Sequence, residues 1–361
     1  MGLRVCRLEL RDWRNFAERD IAFGEGMTIL HGHNAAGKTN TVEALQMLTA
    51  GMSFRKPKPS QQVREQATSA RIAARLEGDG RVVDVSCTIE ASKRTFMRNG
   101  KRVQAGEMPG TLMSVLFNPD DLSFVKRGAS YRRDELDGFG RQANRGYSKV
   151  LAAYQRAVEQ RNRLLKDEHP NLDLLDAWDA SVALGGATLL QSRLRLFARL
   201  RDQMIPIYRQ ISQGEELTSN YECSLGEGCE ELSRDQLADR FAERMTQLRA
   251  DELRRQQTLV GPQRDDIIFA INGRDARAYG SQGQQRSIVL AWKMAEVALA
   301  EEVLGEKPLL LLDDVMSELD GSRRDAATRF VQGGMQTVVT TTNLGYFPDE
   351  LLESATVVSF D

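Results

Sequence analysis

The sequence predicts an α/β fold in which both ends of the chain form one domain and a mostly α-helical segment is inserted between them. Three observations predict this fold. Short segments with strand patterns occupy the first third of the chain and return after residue 257. Between them, long segments rich in Leu, Ala and Arg have helical periodicity. A glycine-rich loop joins an early apolar strand to a helix, as is typical of α/β domains.

Short strands account for most of the first part. The segment from Val5 to Leu10 alternates apolar and charged residues, as a half-buried strand does. A helix over residues 41–49 follows the glycine-rich loop, and Asn99-Gly100 has the chemistry of a hairpin turn. The other predicted strands span residues 21–23, 27–30, 70–76, 82–89, 95–98, 101–103 and 115–117.

The middle of the chain has a helical pattern instead. The predicted helices span residues 147–166, 172–204 and 234–256, and the predicted breaks lie at Pro170, Pro206 and Gly226-Glu227-Gly228. Strand patterns return over residues 266–271, 309–312 and 337–342. We therefore predict an α/β head formed by residues 1–125 and 257–361, with an inserted, mostly α-helical arm over residues 126–256.

Composition argues against several classes of protein. The 361-residue chain is long enough for two domains, and it has no apolar run near the ~20 residues that cross a bilayer. Charges interrupt the amino-terminal segment, so no secretory leader is expected. Four cysteines without zinc-site spacing suit a reducing compartment. We expect a cytoplasmic protein with no membrane partner.

Charge is distributed unevenly, although the net charge is only -2. Residues 53–76 carry six Lys or Arg against one Glu, and residues 126–166 carry eleven against four acids. Residues 213–252 reverse this balance, with eleven acids against four Arg. The asymmetry favours a basic surface for an anionic partner, and ordinary charged helix surfaces are an equally weighted explanation.

Residues 32–39 match the pattern of a phosphate-binding loop, G-x-x-x-x-G-K-[ST], at every fixed position. In such a loop, backbone amides and the amino end of the following helix face phosphate oxygens. Lys38 supplies a positive charge to the outer phosphates, and the Thr39 hydroxyl is placed to bind magnesium. The predicted nucleotide contacts are Gly32, His33, Asn34, Ala35, Ala36, Gly37, Lys38 and Thr39.

Two later segments also carry chemistry. An apolar strand ends in Asp313 and Asp314, and ligands of open α/β sheets bind at the carboxyl ends of strands. Asp313 is placed to hold magnesium, and Asp314 to orient and deprotonate an attacking water. The other segment, Ser281 to Gln285, precedes a helical run and can cap an anion with a hydroxyl, amides and the helix dipole.

Further segments accompany these motifs along nearly the whole chain. They are Arg11 to Phe16, Gly32 to Asn40 with Glu43-Ala44, Ser53 to Arg55, Asn118 to Leu122, Gly261 to Asp266, Gly280 to Arg286 and Leu310 to Asp320. In this order, the segments resemble the bacterial RecF family of recombination-repair ATPases, whose head is of the SMC and ABC type.

The resemblance implies a fold and a mechanism. The α/β fold would contain an ABC-type P-loop ATPase head, and two heads would sandwich two ATP molecules. Asn40 would join the phosphate loop in holding ATP, and Ser281, Gly283 and Gln284 would contact the nucleotide of a second chain. Lys38 and Asp314 would be catalytic, and Thr39 and Asp313 would bind Mg²⁺.

The resemblance also implies a cellular role. ATP would drive formation of a homodimer that binds DNA, and slow, DNA-stimulated hydrolysis or product release would separate the two chains. Such proteins act as switches rather than motors. The dimer would work with RecO and RecR to load RecA at single-strand gaps.

The chain departs from the common ABC pattern at several positions. Asp314 stands where ABC heads carry Glu, although RecF-like proteins have Asp there. ABC heads usually carry a His at the end of a later strand. In this chain the corresponding strand is predicted over residues 337–342, and Thr341, Thr342 or Asn343 stands where that His would be. Residues 115–122 contain no Gln, so the glutamine loop of ABC heads has no clear counterpart there. In the segment from Gly261 to Asp266, Gln263 stands where the RecF family pattern has His.

Candidate DNA contacts lie in the two basic segments. They are Arg55, Lys56, Lys58 and Arg64 near the phosphate loop, and Arg132, Arg133, Arg141 and Arg145 at the predicted base of the arm. Phosphate contacts would give binding that depends on salt and not on sequence. An aromatic content of 6% does not favour base stacking, so we expect backbone contacts to duplex or gapped DNA. Solvated arginines or internal ion pairs are the alternative.

Two other functions fit part of the pattern. ATPase subunits of ABC transporters share the order of the motifs, and small-molecule P-loop kinases share the phosphate loop. The long charged insert and Asp314 argue against the transporter subunit. The segment at Ser281 and the later Ser317-Glu318-Leu319-Asp320 argue against the kinase.

Overall fold

The computed structural model describes residues 2–212 and 214–360. Within them, the chain divides into two compact units. The first holds residues 2–123, 210–212 and 282–360, and the second holds residues 124–209 and 214–281. The first unit is therefore assembled from both ends of the chain, as the sequence predicts.

The elements of the described residues are numbered here in chain order. The strands are β1 (Arg4–Trp13), β2 (Phe16–Ala22), β3 (Met27–Gly32), β4 (Ser69–Gly78), β5 (Arg81–Glu90), β6 (Arg94–Arg98), β7 (Lys101–Val103), β8 (Ser114–Phe117), β9 (Leu217–Glu222), β10 (Asp266–Ile271), β11 (Arg274–Asp275), β12 (Leu309–Asp313), β13 (Thr337–Thr341) and β14 (Thr356–Phe360). The helices are α1 (Lys38–Ala50), α2 (Ala129–Ala143), α3 (Tyr147–Leu165), α4 (Leu172–Ile211), α5 (Arg234–Arg255), α6 (Ala276–Tyr279), α7 (Gln282–Leu304), α8 (Gly321–Val331) and α9 (Asp349–Ser354).

A five-stranded parallel sheet organises the first unit, in the order β14-β3-β13-β12-β8. Strands β8, β12 and β13 are buried at every position, which explains the leucine run of β12 and the lack of charged residues in β8 and β13. Because β3, β12 and β13 are parallel, their carboxyl ends lie at one edge of the sheet. This edge receives the phosphate loop and Asp313.

A six-stranded antiparallel sheet completes the first unit, in the order β2-β1-β4-β5-β6-β7. Its buried face alternates with a more exposed one, as in the pattern of β4. Leu8 of β1, Leu45 of α1 and Leu311 of β12 belong to the same apolar core. Helix α1, which follows the phosphate loop, is buried along most of its length, so packing against the core fixes its position.

The second unit contains long helices and a three-stranded sheet in the order β11-β10-β9. Strand β10 was predicted to belong to the head, but it pairs antiparallel with β9. Residues 257–281 therefore group with the second unit, and the boundary predicted at residue 257 differs from the observed one. Strand β9 was not predicted because it is mostly polar, so no sequence pattern identified the strand that pairs with β10.

Helix α4 shows where a local rule is overridden. A break was predicted at Pro206, but α4 continues to Ile211 with this proline inside it. Proline in a helix interior costs ~3 kcal/mol. Met204 and Tyr208, on either side of it, are fully buried, and burying each stabilises the helix by roughly 1.5–3 kcal/mol.

Membrane insertion has no structural support among residues 2–212 and 214–360. No helix there combines the length and the apolar character that a bilayer crossing requires.

Candidate nucleotide-binding site

The loop between β3 and α1 ends at a helix terminus that no side chain of the described residues caps. Gly37 precedes α1 with φ of 104°, and a Cβ there would lie 2.2 Å from Cζ of Phe16. Both the backbone conformation and the nearby ring therefore require glycine. The first amides of α1 lack intrahelical acceptors, and together with the helix dipole they can bind an anion.

Lys38 is buried beneath this loop, with 7% of its surface exposed. Its Nζ donates hydrogen bonds to the carbonyl oxygens of Gly32 at 2.6 Å and His33 at 2.7 Å. Burial lowers the pKa of Lys38, while the carboxylates of Asp314 and Asp313 raise it. The ammonium group thus lies inside the loop, where phosphate oxygens can replace the carbonyl partners.

Asp313 ends β12 and accepts two hydroxyl hydrogen bonds on one oxygen. Thr39 donates to its Oδ1 at 2.9 Å, and Thr340 of β13 donates to the same atom at 2.8 Å. Burial raises the pKa of Asp313, and these hydrogen bonds lower it. A hydroxyl in contact with a carboxylate at a phosphate site is a ligand pair that suits Mg²⁺, which keeps several water ligands.

Asp314 follows with a strained backbone at φ of 52°. Its amide donates to Oγ1 of Thr340 at 2.9 Å. Its carboxylate Oδ1 is buried and has no hydrogen-bond partner within the described residues. Burial raises the pKa of Asp314, nearby Lys38 lowers it, and nearby Glu318 raises it. An unpartnered buried carboxylate oxygen is costly, and it indicates a place for a ligand or a proton.

Of these groups, Lys38, Thr39 and Asp314 line one cavity of about 190 Å³. Of the predicted nucleotide contacts, the cavity lining includes Asn34, Ala35, Gly37, Lys38, Thr39 and Asn40, and it also includes Asp314, the predicted base. The uncapped helix end and the buried ammonium group suit the phosphates of a nucleoside triphosphate, and the hydroxyl–carboxylate pair suits its Mg²⁺.

Sequence reasoning missed two residues of this cavity. Arg55, predicted as a DNA contact, lines the cavity and donates to Oδ1 of Asn40 at 2.7 Å. Thr340 bonds both Asp313 and Asp314, whereas the sequence drew attention to the three positions after it. No sequence pattern identifies Thr340, because its role follows from the pairing of β12 with β13.

The residues predicted to contact a second chain's nucleotide lie at the start of α7 and directly before it. Gly283 and Gln284, predicted to contact a nucleotide, are absent from the lining of the cavity. Ser281 is exposed and directly precedes α7. Their contact with the nucleotide of a second chain stays a prediction.

The structure contradicts the DNA contact predicted for Arg132. Its side chain is only 2% exposed and forms two hydrogen bonds with Asp266, at 2.7 and 2.8 Å. It also donates to the carbonyl oxygens of Phe124, Val125 and Arg127. A run of basic residues therefore contains an internal ion pair, whose partner lies far along the chain.

The other basic candidates differ in exposure. Lys56 and Lys58 are exposed. Arg64 is partly exposed and pairs with Asp12 at 2.8 Å. Arg133 is partly buried and donates to the carbonyl of Asp265 at 2.6 Å. Lys56 and Lys58, like the exposed Arg55 and Arg145, are thus accessible to a DNA backbone, whereas Arg141 is partly buried.

The segment from Gly261 to Asp266 has a structural role in the second unit. Asp265 is buried and accepts hydrogen bonds from the Tyr221 hydroxyl at 3.0 Å and the Ser224 amide at 2.8 Å. Burial raises the pKa of Asp265, and these hydrogen bonds lower it. The Tyr154 hydroxyl donates to Gln263, where the family pattern has His. Internal contacts explain this motif without a nucleotide.

Comparison with known proteins decides the family. The family model described as the RecF/RecN/SMC N terminal domain matches residues 4–356. The DNA replication and repair protein RecF of Gloeobacter violaceus is 38% identical over 98% of this chain and 96% of its own length. The chain belongs to the RecF family. Its relative in Bacillus subtilis, also called DNA replication and repair protein RecF, is 34% identical over 97% of this chain and 96% of its own length.

Solved structures agree with this family and fold. A structure described as the recombination mediator protein RecF-ATP in the RecFOR pathway matches with a TM-score of 0.89 and 31% identity, over 96% of this chain and 94% of that chain. An SMC head domain from Pyrococcus furiosus shares the fold, with a TM-score of 0.55 and 16% identity over 99% of this chain and 93% of its own. The predicted ABC-type α/β head is confirmed, and the transporter alternative has no support.

Proposed function

We propose that this RecF-family protein is an ATP-dependent DNA-binding protein of recombinational repair and replication-gap processing. One observation carries the proposal: Lys38, Thr39, Asp313 and Asp314 converge beside an uncapped helix end. The names of its relatives, DNA replication and repair proteins, support the cellular role. The solved neighbour described with ATP supports the nucleotide.

ATP supplies a terminal phosphate that water can attack, and Mg²⁺ supplies positive charge next to it. The amides of α1 and the ammonium group of Lys38 hold the phosphates. Thr39 and Asp313 hold the metal ion at the end of β12. Asp314 orients the water and accepts its proton at a carboxylate oxygen that has no partner within the described chain.

Two copies of the chain share each nucleotide in this proposal. Lys38 of one copy and Ser281, Gly283 and Gln284 of the other contact the same ATP, so the protein dimerises with ATP and separates after hydrolysis. Hydrolysis is slow and is stimulated by DNA, as suits a switch. In the cytoplasm, the dimer binds gapped or duplex DNA and helps RecO and RecR to load RecA.

Replacing Ser281 with Arg tests the shared site. Ser281 is exposed, so the fold tolerates the larger side chain, but a second copy could no longer approach closely. We expect ATP affinity of the single chain to stay within about twofold and ATP-dependent dimerisation to disappear in analytical ultracentrifugation. Ser69→Arg, at an exposed position of β4, is the matched control. An ATP-induced dimer of Ser281→Arg would refute the contact.

DNA binding is tested by gel shift with gapped DNA, with and without ATP. The double variant Lys56→Gln/Lys58→Gln should weaken binding equally for all sequences and reduce the salt slope by about two, one for each phosphate contact. The control is Lys93→Gln/Lys101→Gln, which removes two other exposed lysines. If the wild-type protein fails to bind DNA at low salt, the proposed function is wrong.

A further inference from the structure

Two neighbouring arginines at the start of α8 join three segments of the first unit. Helix α8 begins directly after the loop of residues 314–320, which follows β12. Asp320 caps the helix by accepting a hydrogen bond from the Arg323 amide at 3.1 Å. Arg323 and Arg324 then contact different neighbours, so we call them the arginine pair.

Arg323 contacts the first turns of α7. Its Nε donates to the buried hydroxyl of Ser287 at 2.9 Å. Its guanidinium group packs against Gly283, where a Cβ would lie 2.9 Å from Nη2. It also forms an ion pair with Asp320. Arg323 therefore fixes the beginning of α7 relative to the loop after β12.

Arg324 contacts the loops that follow β12 and β13. Its Nε donates to the Met316 carbonyl at 3.1 Å, and its Nη2 donates to the Leu319 carbonyl at 2.8 Å. Its guanidinium carbon lies 4.5 Å from the ring centroid of Tyr346, close enough for a cation–π contact. Tyr346 follows β13, the strand whose Thr340 bonds Asp313 and Asp314.

These contacts form a continuous path through the first unit. Asp314 lies at one end, at the nucleotide cavity, and its backbone continues into the loop that Arg324 holds. The first turn of α7, Gln282 to Gln285, lies at the other end and is held by Arg323. Both arginines belong to the first turn of one helix, so the loop after β12 and the first turn of α7 are held by the same turn of α8.

We propose that the arginine pair consists of positioning residues that couple the nucleotide cavity to the first turn of α7. This inference rests on the proposed function, in which that turn faces the nucleotide of a second copy. Neither arginine lines the cavity among the described residues, so neither is a catalytic residue. The pair sets how well the turn is placed for dimerisation when ATP is bound.

A double-mutant cycle tests the path at the Arg323–Ser287 contact. The variants are Arg323→Gln, Ser287→Ala and both together, with Arg329→Gln as the control because Arg329 is exposed on the same helix. Calorimetry measures ATP affinity of the single chain, and ultracentrifugation measures the dissociation constant of the ATP-bound dimer. Thermal unfolding is recorded for each variant.

We expect ATP affinity to stay within about twofold, and each single variant to weaken dimerisation about tenfold. The double variant should be no weaker than either single one, because both changes break the same contact. Arg324→Gln should likewise leave ATP affinity within about twofold and weaken dimerisation about tenfold. Additive effects, or effects that follow the loss of thermal stability, would overturn the inference.

Two further outcomes separate the inference from the proposed function. If the wild-type protein does not dimerise with ATP, the proposed function fails and the inference fails with it. If the wild-type protein dimerises and Arg323→Gln behaves like Arg329→Gln, only the inference is overturned.

Discussion

Replacing Lys38 with Met is expected to abolish ATP binding. The ammonium group is buried in the phosphate loop and bonded to two carbonyl oxygens, so its charge is already directed at the cavity. Methionine fills a similar space but carries no charge and donates no hydrogen bond. Charge-assisted hydrogen bonds contribute roughly 1.5–3 kcal/mol each, so we expect affinity to fall at least about 100-fold. Calorimetric titration with ATP and Mg²⁺ measures it.

The control for this variant is Lys101→Met, at an exposed position of β7. It should bind ATP as the wild-type protein does. A thermal unfolding curve shows whether the Lys38→Met chain is folded, because its loss of binding is informative only then. If Lys38→Met binds ATP with the same titration curve as the wild-type protein, the phosphate loop is not part of the nucleotide site.

Replacing Asp314 with Asn is expected to slow ATP hydrolysis by about 10²–10⁴-fold, the usual contribution of a general base. The amide has nearly the same shape, but it cannot accept the proton of the attacking water. ATP binding should persist, and the dimer should last longer because hydrolysis separates it. Single-turnover hydrolysis and the lifetime of the dimer are the two measurements.

The pH profile gives the same assignment an independent test. Burial raises the pKa of Asp314 above its ordinary value of 3.8. A base works only when ionised, so kcat/KM should fall with decreasing pH at a higher pH than an ordinary carboxylate would give. Asp325→Asn, at an exposed position of α8, should keep that acid limb. Normal turnover in Asp314→Asn would place the base at another residue.

Sequence patterns predicted the parts of the site whose signal is local. The phosphate loop is eight consecutive residues, and Asp313 and Asp314 end a run of four leucines. In both cases, the same few residues specify the backbone and carry the chemistry. The head could also be predicted from its strands, because a parallel strand buried on both faces carries a run of apolar residues, as β12 does.

The parts that were missed depend on partners far away in the chain. In the sequence, Arg132 resembles a surface arginine, because its ion pair with the distant Asp266 leaves no local pattern. Strand β10 has the sequence pattern of a head strand, but it pairs with the polar β9 and belongs to the second unit. Thr340 and Arg55 reach the nucleotide cavity through strand pairing and loop packing, neither of which leaves a local pattern. Such contacts are specified by the fold rather than by neighbouring residues.

The order of strands in the parallel sheet has a consequence for synthesis of the protein. Within residues 2–212 and 214–360, β3 pairs with β13 and β14 and β8 pairs with β12, so these partners emerge from the ribosome after the second unit. The antiparallel sheet and the second unit are complete in sequence before that point. Until then, the nascent chain carries apolar strands with unpaired edges, which favour aggregation and chaperone binding. Because Asp313 ends β12, the predicted magnesium site can form only after β12 has been synthesised.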